Sequence, residues 1–406
     1  MKQMKSCLVA MCCLIAACCL GASPRKNLKQ AEKLIGDYSK VGRARELVKE
    51  SLSDSTFMPD AFAYNVAGRV EREAYRHFYK MLSINRKDPS VDHVAMSDAL
   101  MDAYSYFVKC MELDSVLDKK GQLKVKYSPE LADWISVSAP AMYNAGIAYM
   151  NKKQYYPKAY SAFIRFAELP DKPYYKPLTP MSDSIRANAF FYGGVMAYNA
   201  HEYDKAFSAF DKARKHGYAR KEVYLNQISA LSHIAKTKPT LRDSLGRRVT
   251  EIARCGLERH GVGQTPLFIQ KYVAGMILDN SPELALAAID TALVSHPDMV
   301  MLHTMKAGVY ASMNRYDDAV AEYRKAADYE TADTNTLKTA SKYMATIGIA
   351  KLDSIKGRGR DARSKAKAVR DRYLRPALDY ANRAAQMNPE DPEIQNTIET
   401  VTYRLH

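Results

Sequence analysis

Apolar residues recur along this chain at steps of three and four, and the groups they form recur as well. In HEYDKAFSAFDKA, His201 to Ala213, the positions Tyr203, Ala206, Phe210 and Ala213 share one helical face. Asp204, Lys205, Asp211 and Lys212 fall on the other. The phrase returns at 314–326 as NRYDDAVAEYRKA, with Tyr316, Ala319, Tyr323 and Ala326 in the matching places. A second apolar run precedes each copy, NAFFYGGVMAY (188–198) and MLHTMKAGVYA (301–311). Each run carries a small pair, Gly193-Gly194 or Ala307-Gly308, where a neighbouring helix can come close. The pattern predicts a helical hairpin, and the hairpin repeats.

Its period is legible. From Ala285 to Ala319 the chain advances by one repeat, and Ala285, Ile289, Ala292 and Pro297 recur with identical spacings as Ala377, Ala381, Ala384 and Pro389. Gly146-x-x-Tyr149, Tyr64-x-x-Ala67-Gly68, Ala103-x-x-x-Phe107 and Ala159-x-x-x-Phe163 match the same scheme. With G-x-x-Y, then A-x-x-x-F, then proline, in a unit of about 34 residues, the chain resembles the tetratricopeptide repeat family. The resemblance implies an all-α fold, a right-handed α-solenoid of seven to eight hairpins over residues 23–406. Small second-helix positions are expected near Ala44, Ala103, Ala159, Ala206, Val249, Ala285, Ala319 and Ala377. The closing NPEDPEIQNTIETVTYRLH reads as a capping helix. Three places depart from the family: Ala197 stands where tyrosine is preferred, Val249 and Gly256 weaken the fifth repeat, and Ala44 lacks a convincing first helix. Helix axes approach to about 8 Å only where side chains are small. Gly194 and Ala307 are therefore expected to face Ala206 and Ala319, with Phe210 and Tyr323 filling the groove beside them.

Excess length marks insertions. Residues 169–184 hold four prolines and Tyr174-Tyr175, which reads as an extended loop. In 115–130, Leu123, Val125 and Tyr127 alternate, a strand-like hint. Residues 236–246 lengthen the turn of the fifth repeat. The segment 351–375 carries ten Lys/Arg and three Asp. There Ala362, Ala366, Val369 and Tyr373 keep an apolar stripe, which predicts a basic helical extension running on to Met387. Lys356, Arg358, Arg360, Arg363 and Lys367 cluster near its tip.

That segment changes how the charge is read. The chain of 406 residues carries a net +15, which by itself invites a nucleic-acid partner. The leader argues otherwise. Residues 1–22 begin with Lys2 and Lys5, continue through a short apolar run and end in small residues, the pattern of an export signal. Ile15-Ala16-Ala17-Cys18 resembles a lipobox, which would lipidate Cys18; cleavage after Ala22 would release a soluble periplasmic protein instead. With the leader set aside, the segment 351–375 holds over half of the excess positive charge. Its tip fits an anionic envelope surface or an acidic partner, and equally a solvated helix face; no nucleic acid is expected. Five of seven cysteines lie in the leader. Cys110 and Cys255 belong to different repeats and read as small core residues.

Candidate chemistry is sparse. No His-Glu-x-x-His, Gly-x-Ser-x-Gly or P-loop occurs, so no catalytic, metal or cofactor residue is assigned and a non-enzymatic protein is expected. His296 and His303 are separated by Pro297 and read as surface or groove residues. Asp-Ser/Thr pairs recur at Asp54, Asp114, Asp183, Asp243, Asp290 and Asp353. They resemble acceptor sites for periplasmic O-glycosylation, and equally suit helix capping. The family resemblance implies a concave groove lined by first helices, placing Tyr143, Asn188, Phe191, Tyr198, Asn199, Gln270 and Thr304 on its surface. The expected function is a scaffold or adaptor of the bacterial envelope, binding a peptide or partner protein there. One alternative is a glycan-binding outer-membrane lipoprotein of the starch-utilisation type, with Tyr174-Tyr175 as its platform. Another is a β-barrel-assembly accessory lipoprotein. Membrane association is expected only through a lipid anchor.

Overall fold

A computed structural model describes residues 23–114, 116–117, 120–121, 123–357 and 359–406. Cys18, the leader and Arg358 lie outside the described residues. The chain divides into two compact units, one ending at Ile234 and the other running from Ala235 to His406.

The first unit stacks four hairpins in chain order. They are α1 (Pro24–Leu34) with α2 (Val41–Ser53), α3 (Ala61–Ile84) with α4 (His93–Leu113), α5 (Ser128–Met150) with α6 (Tyr156–Glu168), and α7 (Asp183–Asn199) with α8 (Tyr203–Lys215). Helix α9 (Glu222–Thr237) follows, and the division falls within it. The second unit holds α10 (Arg242–Gln264), α11 (Pro266–Leu278), α12 (Pro282–Ser295), α13 (Val300–Ser312), α14 (Tyr316–Asp328) and α15 (Thr334–Asp353). It continues through α16 (Arg360–Val369), a π-helical turn at Arg370–Leu374, α17 (Arg375–Met387) and α18 (Pro392–Leu405). The fold is an all-α solenoid of helical hairpins.

Local chemistry starts these helices. The carboxylates of Asp60, Asp92, Asp333 and Asp391 and the hydroxyl of Ser182 accept from backbone N–H groups of the first turns. Prolines occupy the first turns of α1, α5, α6, α11, α12, α17 and α18, where a missing N–H costs nothing. Helix α1 supplies the first helix that the Ala44 repeat lacked in the sequence reading: Leu28 and Ala31 are fully buried with Ala44, Leu47 and Val66.

Packing across three hairpins of the first unit sets a missing side chain against a ring. A Cβ on Gly146 would lie 2.7 Å from the Phe163 ring, and one on Gly194 would lie 2.6 Å from Phe210. Gly68 meets Phe107 in the same way. These rings are fully buried, each contributing about 1.5–3 kcal/mol. The atoms nearest to Gly194 are those of Phe210, the ring expected to fill the groove there. Gly193 serves the other side, where its Cβ would come within 2.9 Å of Ile164 on the preceding hairpin. The Ala307-Gly308 pair differs. Ala307 is buried with Val320 and Tyr323, whereas Gly308 faces open space.

The fifth repeat is also corrected. Gly256 admits the ring of Phe268 (2.8 Å from a built Cβ), and Gly275 lies against Thr250, so α10 and α11 interlock. The glycine that weakened the repeat in the sequence is the one its neighbour requires. Non-glycine residues with positive φ mark three hairpin turns: His201 (61°), Asn280 (56°) and Asn314 (58°). The residue after each donates to a carbonyl five back, Glu202 to Ala197, Ser281 to Met276 and Arg315 to Tyr310.

The insertions take distinct forms. After α4, β1 (Val116–Leu117) pairs antiparallel with β2 (Leu123–Lys124), so the alternation through Val125 and Tyr127 outruns the strand. The Asp114 carboxylate draws in the amides of Lys126, Tyr127 and Ser128 at 2.7–3.0 Å. The proline-rich loop folds back onto the body: the Tyr174 hydroxyl lies 3.1 Å from that of Tyr104, and the Lys176 amide donates to Ser136 Oγ at 2.9 Å. At the C-terminal end, Ile394 and Val401 of α18 are buried with α15 and α17.

Candidate functional site

Helices α3 and α5 are 24 and 23 residues long, against 13 for α11 and α13. Their extra turns project beyond the glycine-ring contacts. Together with the first turns of α4 they wall a cleft of about 950 Å³ within the first unit, the size of a ligand or peptide site. Tyr75 and Tyr79, four apart on α3, face Trp134, Val137 and Ala141 on α5 across a floor of Met96 and Leu100 from α4. Pro140, inside α5, also lines it.

Apolar groups at its mouth stay open to water: Tyr79 is 60% exposed and Val137 78%. Trp134 is held by an edge contact with the buried Phe107 at 5.1 Å between ring centres. Burial, with neighbouring Tyr79, pushes the Tyr75 phenol up, so it remains a neutral donor. Polar groups of Arg86, His93, Ser138 and Asn144 ring the cleft, and among the described residues no carboxylate lines it. A ligand with carbonyl or anionic groups is matched; a cationic one is not. Among the described residues no group of three or more His, Cys, Asp or Glu could hold a metal ion.

Sequence reasoning placed the site elsewhere. Phe191 is 9% exposed and stacked on Tyr218 at 4.2 Å, so it is core rather than groove. Tyr143 packs edge-on against Phe163 and Phe166. Tyr198 is half-buried, its hydroxyl 3.4 Å from Ser229 Oγ and its ring edge-on to His233. Asn188 is half-buried on α7 and Asn199 is exposed at its end. In the second unit, exposed Gln270 donates to Met301 Sδ at 3.1 Å, and Thr304 donates to Val300 of its own helix. Tyr174, turned onto Tyr104, offers no open sugar platform.

Other assignments also shift. His303 is no surface residue: it is 9% exposed, with Nδ1 2.8 Å from Glu322 Oε2 and Nε2 3.0 Å from the Pro297 carbonyl. Cys110 is buried, free and bonded to the Ala61 carbonyl, and burial pushes its thiol up to about 12. Cys255 is only half-buried, its thiol 3.6 Å from Glu251 Oε1. The recurring aspartates mostly form ion pairs or turns. Asp290 meets Lys306 at 2.7 Å, Asp353 meets Arg404 at 2.8 Å, and Asp54 holds the Thr56 amide.

No family model matches the chain, and none of the curated proteins does. Solved structures similar to it are tetratricopeptide repeat proteins. One from Bacteroides fragilis is 15% identical, covering 65% of this chain and 98% of its own, with a TM-score of 0.35. The C-terminal part of one from Cytophaga hutchinsonii is 13% identical, covering 73% and 99%, with a TM-score of 0.39. YrrB, described as having an unusual peptide-binding site, is 12% identical over 52% and 92%, with a TM-score of 0.33.

Proposed function

We propose that this chain is a non-enzymatic scaffold that holds an extended segment of a partner protein in the α3–α5 cleft. The leader pattern favours the bacterial envelope as its place of work. The observation that carries the reading is the cleft itself. Exposed Tyr79 and half-buried Trp134 offer rings to bury a side chain, while Asn144, Arg86 and the Trp134 indole N–H can donate to backbone carbonyls. None of these three has a hydrogen-bond partner elsewhere among the described residues. The same rings, tryptophan included, also suit a saccharide, which keeps glycan binding as a second reading.

Trp134 is the only tryptophan, so its fluorescence reports cleft occupancy. Peptides selected from a displayed library of random nonamers should shift that emission. Tyr79→Ala with Asn144→Ala should weaken them about thirtyfold, as for loss of a buried aromatic anchor. Tyr198→Ala with Asn199→Ala should leave them unchanged. Peptides that bind without touching Trp134 emission would remove the cleft from the proposal; binders found only on a glycan array would establish the second reading.

A further inference from the structure

The basic segment 351–375 contains three aspartates, and each is neutralised: Asp353 by Arg404 (2.8 Å), Asp361 by Lys365 (2.7 Å) and Asp371 by Arg375 (2.8 Å). What remains is a set of cations without acidic partners among the described residues: exposed Lys356, Arg360, Arg363 and Lys367. Of these, Arg363 lines a notch of about 310 Å³ at the base of the α15–α16 turn, and the other three lie near it in sequence. Arg363 and Arg370, two turns apart on one face, stand on either side of Ala366, whose small side chain leaves the gap between them. Arg370 donates through Nε to the Arg404 carbonyl at 3.1 Å. That bond fixes the guanidinium while leaving its terminal nitrogens available. Leu352 and Ile355 form an apolar wall.

We infer that this notch binds the phosphate of an anionic lipid headgroup. A guanidinium presents paired N–H groups that match two phosphate oxygens, and two guanidinium groups, those of Arg363 and Arg370, line this notch. The notch is at the small end of ligand sites, enough for a phosphate and its ester carbons. A lipid surface is favoured over a free ion because Lys356, Arg360 and Lys367 spread positive charge beyond the notch. One small anion cannot meet them all; a layer of headgroups can. Asp353, which also lines the notch, accepts from Arg404 through both carboxylate oxygens (2.8 and 3.4 Å), so its charge is already paired.

The test is co-sedimentation of the full chain with vesicles of phosphatidylglycerol in phosphatidylcholine, against phosphatidylcholine alone. Partition should require the anionic lipid and fall as salt rises. It should drop roughly fivefold for each cation removed, hence about 25-fold in R363Q/R370Q. Arg370→Lys, which keeps charge but loses the fork, should fall between the two. Lys80→Gln, an exposed cation of the first unit, should change nothing. If R363Q/R370Q loses helical circular dichroism, Arg363→Gln alone carries the test, with its fivefold drop. Unchanged partition in these variants, or equal binding to phosphatidylcholine, overturns the inference. So does calorimetric binding of inorganic phosphate without vesicle association, which would make a free anion the ligand.

Discussion

Hairpins α7/α8 and α13/α14 carry the same phrase, yet their interiors are built from opposite chemistries. In the first, Phe190 lies buried and stacked on His216, with rings 5.4 Å apart and 16° from parallel. In the second, the equivalent positions are His303 and Tyr329, stacked at 5.7 Å and 29°. The ring pair survives while its polar member changes place. A third position changes in step: Ala209 of the first hairpin becomes Glu322 in the second, where its carboxylate reaches His303. Both imidazole nitrogens lie within hydrogen-bond reach of oxygens, Nδ1 near Glu322 Oε2 and Nε2 near the Pro297 carbonyl. The comparison teaches that the repeat conserves shape and lets charge vary, provided that charges arrive in pairs.

Breaking that pair should give the largest effect. Glu322→Ala strands His303 and removes the partner of Lys325 (2.9 Å), which should cost about 3–5 kcal/mol in urea unfolding. The double change His303→Phe with Glu322→Ala copies the first hairpin and should recover most of that loss. A double variant as unstable as the single one would show that the two interiors are not interchangeable. Acid probes the same contact. Burial pushes the Glu322 carboxyl up, but hydrogen bonds from His303 and Lys325 and the charges of Lys325 and Lys306 outweigh it and hold it below the usual range. Such a group adds stability that is present above its unfolded value and lost as pH falls through its folded one. The advantage of wild type over Glu322→Ala should therefore shrink below about pH 4.3.

The glycines give the next contrast, with opposite signs. Gly194→Ala drives a Cβ to 2.6 Å from Phe210, a fully buried ring, and should destabilise by about 1–3 kcal/mol. Gly308→Ala meets nothing within 4 Å inside a helix. It should stabilise by about 0.5–1 kcal/mol through helix propensity. Thermal unfolding of the two variants checks both, and equal shifts would refute the assignment of the close approach.

These details mark what the sequence could carry. Period and small positions announced the hairpins because tight helix crossings require small side chains, and that requirement is local. The large residue at Gly194 was legible too: Phe210, four positions after Ala206, is the ring that fills the space. Helix α1 was readable from Leu28, Ala31 and Leu34 but was obscured by its nearness to the leader. His303 gave no sign of burial because its carboxylate stands on the next helix, at a position where the sister repeat has alanine. The cleft depends on how far α3 and α5 outrun the repeat. Tyr75-Tyr79 and Val137-Ala141, four apart beyond the repeat positions, were the available signal.

The smallest effect concerns the turn that both hairpins share. His201 and Asn314 occupy the left-handed region at 61° and 58°. A side chain with a Cβ pays roughly 1–2 kcal/mol there, and asparagine is among those that visit it routinely. Glycine removes that strain but loses more chain entropy on folding, about 0.5–1 kcal/mol. The two terms nearly cancel for asparagine and leave a margin for histidine, less in each case a contact with the tyrosine two residues on. His201 Nδ1 lies 3.0 Å from the Tyr203 hydroxyl, and Asn314 Oδ1 accepts from the Tyr316 hydroxyl at 2.8 Å. His201→Gly should thus raise stability by a few tenths of a kcal/mol, while Asn314→Gly, which gives up the Tyr316 bond, lowers it slightly. A marked loss in His201→Gly would mean that the Tyr203 bond, rather than the backbone, governs the turn.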